Sequence, residues 1–139
     1  MSTPLKLFFD GGCRPNPGRM SVAAVTRGIA YVETDVGRGS NSDAEWLALL
    51  HAMEVGKRLG ATDLVLLGDS MLVVGQANGT AKCRSPDLRV HLARFDALKG
   101  SFTRLRIRHT GRTSNLAGIA LERALAAEAA DAHRAEIGA

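Results

Sequence analysis

The chain has 139 residues, 45% hydrophobic and 23% charged, with a formal net charge of +4. That is enough chain for one domain with a buried core, and the composition argues against a disordered or fibrous protein. No run nears the ~18 apolar residues of a membrane helix, MSTPLKLFFD has no signal-peptide pattern, and Cys13 and Cys83 are too few for a disulfide framework, so a cytoplasmic monomer with one domain over 1–139, no membrane contact and no implied protein partner is expected.

Leu5–Phe9 is a short apolar run ending at Asp10 and predicts a first strand. Gly11, Gly12, Pro15, Pro17 and Gly18 then predict a turn. Ser21–Thr26 and Ile29–Val36 read as two more strands joined by a tight Arg27-Gly28 hairpin turn. Asp43–Leu59 reads as a helix. Ser42 with Glu45 fits a capping box, Leu49, Leu50 and Met53 supply an apolar stripe, and Gly60 stops it.

Leu64–Leu67 is a fully apolar strand, and Ser70 to about Ala77 a short helix closed by Gly79. Ser85-Pro86-Asp87 opens another helix, with Leu88, Leu92, Phe95 and Leu98 along one side. Phe102–Arg108 alternates, Leu105 and Ile107 facing one way and Arg104, Arg106 and Arg108 the other, as in a half-buried strand with a basic outer face. From Asn115 onward Ala and Leu dominate a final helix, expected to fray near Ile137. The order β-β-β-α-β-α-α-β-α predicts an α/β fold, a mixed sheet with helices packed on it.

Charge is distributed unevenly. Residues 1–81 hold 7 Lys/Arg against 8 Asp/Glu, while residues 82–112 hold 9 against 2. A basic stretch beside an acidic site suits a polyanion held against a metal centre; a solvated basic face is the competing explanation.

Asp10 ends the first strand, Glu45 starts the first helix, and Asp69 ends the apolar strand Leu64–Leu67. If those two strands are parallel neighbours, Asp10 and Asp69 emerge side by side at their carboxyl ends, where ligand sites in such sheets lie. Clustered carboxylates resist joint ionisation without a cation. All-oxygen donors favour Mg²⁺ or Mn²⁺, and two ions about 3.5–4 Å apart could activate a water and stabilise the leaving oxygen of a phosphodiester. Taken singly, each acid also has a local explanation: a turn at Asp10, a helix cap at Glu45 and at Asp69.

Their contexts bear on that choice. Asp10-Gly11-Gly12-Cys13-Arg14-Pro15-Asn16-Pro17-Gly18 resembles the D-G-(G or S)-x-x-x-N-P-G opening of type 1 ribonucleases H. Asn41-Ser42-Asp43-Ala44-Glu45-Trp46-Leu47-Ala48-Leu49 is similar to that family's N-N-x-A-E-x-x-A-L helix. Asp69-Ser70 with Val73, Val74, Gln76 and Gly79 resembles D-S-x-x-V-x-x-Q-x-x-G. Arg112-Thr113-Ser114-Asn115 with Leu121 resembles R-x-x-N-x-x-A-D-x-L-A. The likeness spans about Leu5 to Ala127.

The resemblance implies a ribonuclease H-like fold, a five-stranded mixed sheet flanked by helices. It implies an endonuclease that cuts the RNA strand of RNA–DNA hybrids and leaves 5′-phosphate ends. Asp10, Glu45 and Asp69 would be the metal ligands. Backbone amides at Gly11 and Gly12, with Cys13, Asn16, Asn41 and Gln76, would line the RNA minor groove, where the 2′-hydroxyl distinguishes RNA from DNA. Lys82 and Arg84 would run along the nucleic acid, and His109 would move protons or assist product release.

The pattern breaks at one place. Four residues after Asn115, where the family carries a fourth carboxylate, stands Ile119. Asn115 itself is the first candidate to replace it as a ligand, Glu122 the second. A missing charged ligand is expected to make Mn²⁺ outperform Mg²⁺. The alternative reading is a catalytically weak or inactive module that binds hybrid or double-stranded RNA.

Overall fold

Strand β1 (Leu5–Arg14) alternates along its whole length, burying Leu5, Leu7, Phe9, Gly11 and Cys13 on one face of the sheet. The computed structural model describes residues 3–138. After β1 come β2 (Gly18–Thr26), β3 (Ile29–Glu33), a two-residue β4 (Arg38–Gly39), α1 (Asn41–Arg58), β5 (Asp63–Gly68), α2 (Met71–Asn78), α3 (Pro86–Lys99), β6 (Arg104–His109), a 3-10 turn (Arg112–Ser114) and α4 (Leu116–Gly138).

The sheet order is β3-β2-β1-β5-β6, with β4 added against β2. β1–β2 and β2–β3 are antiparallel, while β1–β5 and β5–β6 are parallel. The expected five-stranded mixed sheet is therefore present with a short sixth strand. On one face Leu7, Phe9, Leu64 and Leu66 pack with Trp46, Leu49, Met53 and Phe95 from α1 and α3. On the other, Ala23 and Val25 pack with Ala117 and Leu121 of α4. A sheet covered on both sides explains why β2 is buried nearly throughout.

Several boundaries differ from the sequence reading. Gly11 and Gly12 are not turn residues: β1 continues through them to Arg14, paired with β2, and only residues 15–17 turn. The strand read as Ile29–Val36 stops at Glu33. Helix α1 begins two residues early, capped by Ser40, whose side chain accepts from the Asp43 N–H while the Asp43 carboxylate accepts from the Ser40 N–H. The capping box is thus Ser40–Asp43 rather than Ser42–Glu45. Helix α4 stays helical past Ile137 to Gly138. On β6, Arg104 and Arg108 are exposed, but Arg106 is half-buried and paired with Asp63 at 3.2 Å. The basic row has two free members, not three.

Candidate active site

The parallel pairing of β1 with β5 sets the site. Leu5 to Phe8 lie opposite Leu64 to Leu67, and two more residues in that register bring Asp10 beside Asp69. Both follow the alternation onto the α4 face. The side-by-side placement expected from sequence is met, but only Asp69 follows a strand end; Asp10 stands mid-strand, since β1 runs on to Arg14.

Glu45 comes from the opposite side of the sheet. It lies in the second turn of α1, clear of the capping box. Gly11 permits its approach: a Cβ there would stand 2.1 Å from the Ala44 carbonyl oxygen. With no side chain at Gly11, α1 presses onto the strand and carries Glu45 to the rim where the aspartates emerge. The Ser70 hydroxyl, which also caps α2 by accepting from the Val73 N–H at 3.2 Å, donates to the Glu45 carboxylate.

Asp10, Glu45 and Asp69 line one cavity of about 580 Å³, together with Gly11, Gly12 and Arg112. Burial, then the nearby Asp69 and Glu45 carboxylates, push the Asp10 pKa up to about 7, against the opposing pull of Arg112. Burial likewise raises Glu45. Among the described residues no three His, Cys, Asp or Glu side chains stand close enough together to hold a metal ion as they are placed. The three acids instead share an open cavity whose oxygens are poorly compensated. That donor set suits a hard divalent cation, which would relieve the repulsion that raises Asp10.

Asn115 does not offer an oxygen to such an ion. It is fully buried, and its Oδ1 accepts from the Ala117 N–H at 3.1 Å. Its Nδ2 donates to the Phe9 carbonyl at 2.9 Å and to Asp69 Oδ2 at 3.0 Å. Asn115 caps α4 and orients Asp69, and both ends of its amide, expected to serve a metal, are committed to protein groups. Ile119 is exposed and lines the cavity; Glu122 lines it as well, one turn further along α4, with its carboxylate paired to Arg14.

The residues expected to meet RNA divide. Cys13 is buried; its N–H donates to Asn41 Oδ1 at 3.0 Å, and its Sγ lies 3.4 Å from both Asn16 Oδ1 and Asn41 Oδ1. The Asn41 N–H donates to Asn16 Oδ1 at 3.2 Å. Both asparagines are exposed, and with their oxygens turned inward their amide N–H groups remain as donors. Gly12 lines the cavity, whereas Gly11 is buried and its N–H serves the Asp10 carboxylate.

Gln76, expected to line the groove, is committed to groups of the protein itself. It is buried, accepts from the Trp46 indole at 2.8 Å and donates to the Lys82 carbonyl at 3.1 Å. Its effect on substrate would pass through the segment it pins, where Lys82 and Arg84 are exposed outside the cavity. His109 ends β6 opposite Gly68, exposed, and does not line the cavity either.

Sequence reasoning gave Arg112 no role, although it stands in the fourth motif; it is the cation facing Asp10 and Glu45. It also missed the pair between His91 Nε2 and Asp43 Oδ1 at 2.9 Å, which ties α3 to the start of α1. Only the packing of α3 across α1 reveals that contact.

A family model described as reverse transcriptase-like matches residues 8–124. The bifunctional protein Rv2228c of Mycobacterium tuberculosis is 35% identical over 139 aligned positions, covering 92% of this chain and 38% of that protein. A ribonuclease HI of Halobacterium salinarum is 38% identical over 113, covering 78% of this chain and 57% of that protein. The chain thus spans well under two thirds of these relatives. Among solved structures, RNase H1 from Halobacterium salinarum superposes with a TM-score of 0.80 at 34% identity, covering 86% of this chain and 94% of that one. LC11-RNase H1 in complex with an RNA/DNA hybrid gives 0.73 at 26% identity, covering 81% and 88%. On the family match over residues 8–124 and these likenesses, the chain belongs to the reverse transcriptase-like family as a ribonuclease HI-like protein.

Proposed function

We propose that the chain is a divalent-metal-dependent endonuclease that hydrolyses the RNA strand of RNA–DNA hybrids, leaving 5′-phosphate ends. The observation that carries this reading is the convergence of Asp10, Glu45 and Asp69 on one cavity beside the middle of β1 and the carboxyl end of β5. The relatives named ribonuclease HI and RNase H1, one of them in complex with an RNA/DNA hybrid, support it.

Each part has a stated task. Asp10, Glu45 and Asp69 would hold Mg²⁺ or Mn²⁺, which supplies Lewis acidity toward the phosphodiester when bound. Asn115 holds the Asp69 carboxylate in place, and Ser70 does the same for Glu45. Arg112 offsets part of the negative charge in the site. The outward amides of Asn16 and Asn41, with the Gly12 backbone, are donors of the size and polarity that read a 2′-hydroxyl. Lys82 and Arg84 supply positive charge for the backbone of the hybrid, and exposed His109 is retained as the proton carrier near Asp69.

The test is cleavage of a labelled RNA–DNA hybrid with Mg²⁺ and, separately, Mn²⁺, with Asp10→Asn as control. Cutting by the wild type and its loss in the variant are expected. The second reading, a binding module without turnover, is favoured by Ile119 standing where a fourth acid is expected. Tight hybrid binding without cutting in either metal would establish that reading instead.

A further inference from the structure

The cavity that holds the carboxylates does not end at them. It continues along α4 past Ile119, Glu122 and Leu125. A second cavity of about 370 Å³ adjoins it, sharing Arg14, Ser21 and Leu125 and reaching Arg19, Thr34 and Glu128. Together they make a groove between the β1–β2 hairpin and α4, leading away from the acids.

The edge of this groove has an unusual charge arrangement. Arg14 and Arg19 stand directly opposite each other across the β1–β2 pair. Two like charges at such positions oppose pairing of the strands. Each is met by an acid from α4, Arg14 by Glu122 and Arg19 by Glu128. The first pair is about two-thirds exposed on both sides, the second about 40%. Ion pairs this exposed add little to stability, so they are poor reasons to place two arginines face to face. They are easily exchanged for another anion.

We propose that this groove binds a sugar–phosphate segment of the nucleic acid beyond the cleaved bond, with Arg14 and Arg19 contacting its phosphates and Glu122 and Glu128 acting as internal competitors. The inference rests on the nuclease reading above. A phosphate arriving at either arginine replaces a carboxylate rather than water. The acids therefore hold the arginines extended along the groove and restrain affinity for the strand.

The test is binding of a short labelled RNA–DNA hybrid to the full chain in EDTA, by fluorescence anisotropy over a range of salt concentrations. Arg14→Ala with Arg19→Ala is expected to weaken binding and make the dependence of log affinity on log salt shallower by about two. Arg14→Lys with Arg19→Lys should keep the steep dependence. Glu122→Gln with Glu128→Gln should tighten binding several-fold. Glu54→Gln, exposed on α1 beside a different cavity lined by Lys57 and Arg94, should tighten it far less. Circular dichroism checks that each variant is folded. A folded double-alanine variant with the salt dependence of the wild type overturns the groove, and so does equal tightening by Glu54→Gln. If the wild type still cleaves hybrid in that case, the nuclease reading stands. If the wild type neither binds nor cleaves hybrid, both fall together.

Discussion

Asn115 Nδ2 lies 3.0 Å from Asp69 Oδ2, and the same nitrogen donates to the Phe9 carbonyl of the neighbouring strand. One buried amide thus joins the middle of β1, the aspartate after β5 and the start of α4. With Oδ1 bound to the Ala117 N–H, both ends of the amide are committed. Asn115→Asp should therefore not restore a fourth acid. It would bury a second carboxylate against Asp69 and cost about 3–5 kcal/mol. Thermal unfolding should show the loss growing as pH rises and the new acid ionises. A variant as stable as the wild type, with improved metal affinity, would return Asn115 to the ligand set.

Ile119→Asp is the substitution expected to restore the missing ligand. Ile119 is exposed at the cavity wall and one helical turn past Asn115. The expected pair of ions must otherwise share Asp10, Glu45 and Asp69. Adding an acid there should lower the Mg²⁺ concentration needed for half-maximal cleavage about tenfold, roughly one charged ligand's worth. The wild type should need less Mn²⁺ than Mg²⁺. Metal titrations of both proteins at fixed hybrid concentration measure this; identical midpoints would argue against it.

Asp10 predicts a pH dependence with a definite sign. Its pKa of about 7 lies above the ordinary value of 3.8. A carboxyl raised on folding contributes stability that is fully present below about pH 4 and lost as pH rises through about 7. In EDTA, the wild type should therefore lose stability relative to Asp10→Asn across that window. The difference should reach a few kcal/mol, and Mn²⁺ at pH 8 should stabilise only the wild type strongly. Parallel pH profiles of melting temperature for the two proteins would contradict the assignment.

Gly11 carries a steric prediction. A methyl group at this position would meet the Ala44 carbonyl at 2.1 Å, and backbone cannot rotate away as a side chain can. Gly11→Ala should push α1 outward, cost about 3 kcal/mol and displace Glu45. Gly12→Ala has nothing within 4 Å and should fold normally. Comparing their denaturation midpoints tests whether the close approach, rather than glycine content, matters.

Gln76→Leu should act through structure. It leaves the Trp46 indole N–H and the Lys82 carbonyl unpaired, costing about 2–4 kcal/mol. Hybrid affinity should fall as the Lys82–Arg84 segment loosens, while kcat at saturating hybrid stays near wild type. A fall in kcat with unchanged stability would place Gln76 at the substrate after all.

Most of the elements, and the candidacy of Asp10, Glu45 and Asp69, are legible along the chain, though the short β4 is not. Local chemistry is enough for that: Gly79 closes α2 with a left-handed residue, Ser85-Pro86 opens α3, and apolar β5 ends at Asp69. The order of strands and helices then leaves few ways to bury both faces of a sheet. Which polar atoms remain available follows from the packing of distant segments. Asn115 and Gln76 look like site residues in their motifs, yet each is held by at least one partner 30 or more positions away in the chain. Glu45 lost its apparent capping role because Ser40 and Asp43 took it. Arg14 and Arg19 became the edge of a groove because α4, more than 100 residues later, lies across them. Hydrogen-bond commitment and burial depend on such long-range contacts, and residue spacing along the chain does not encode them.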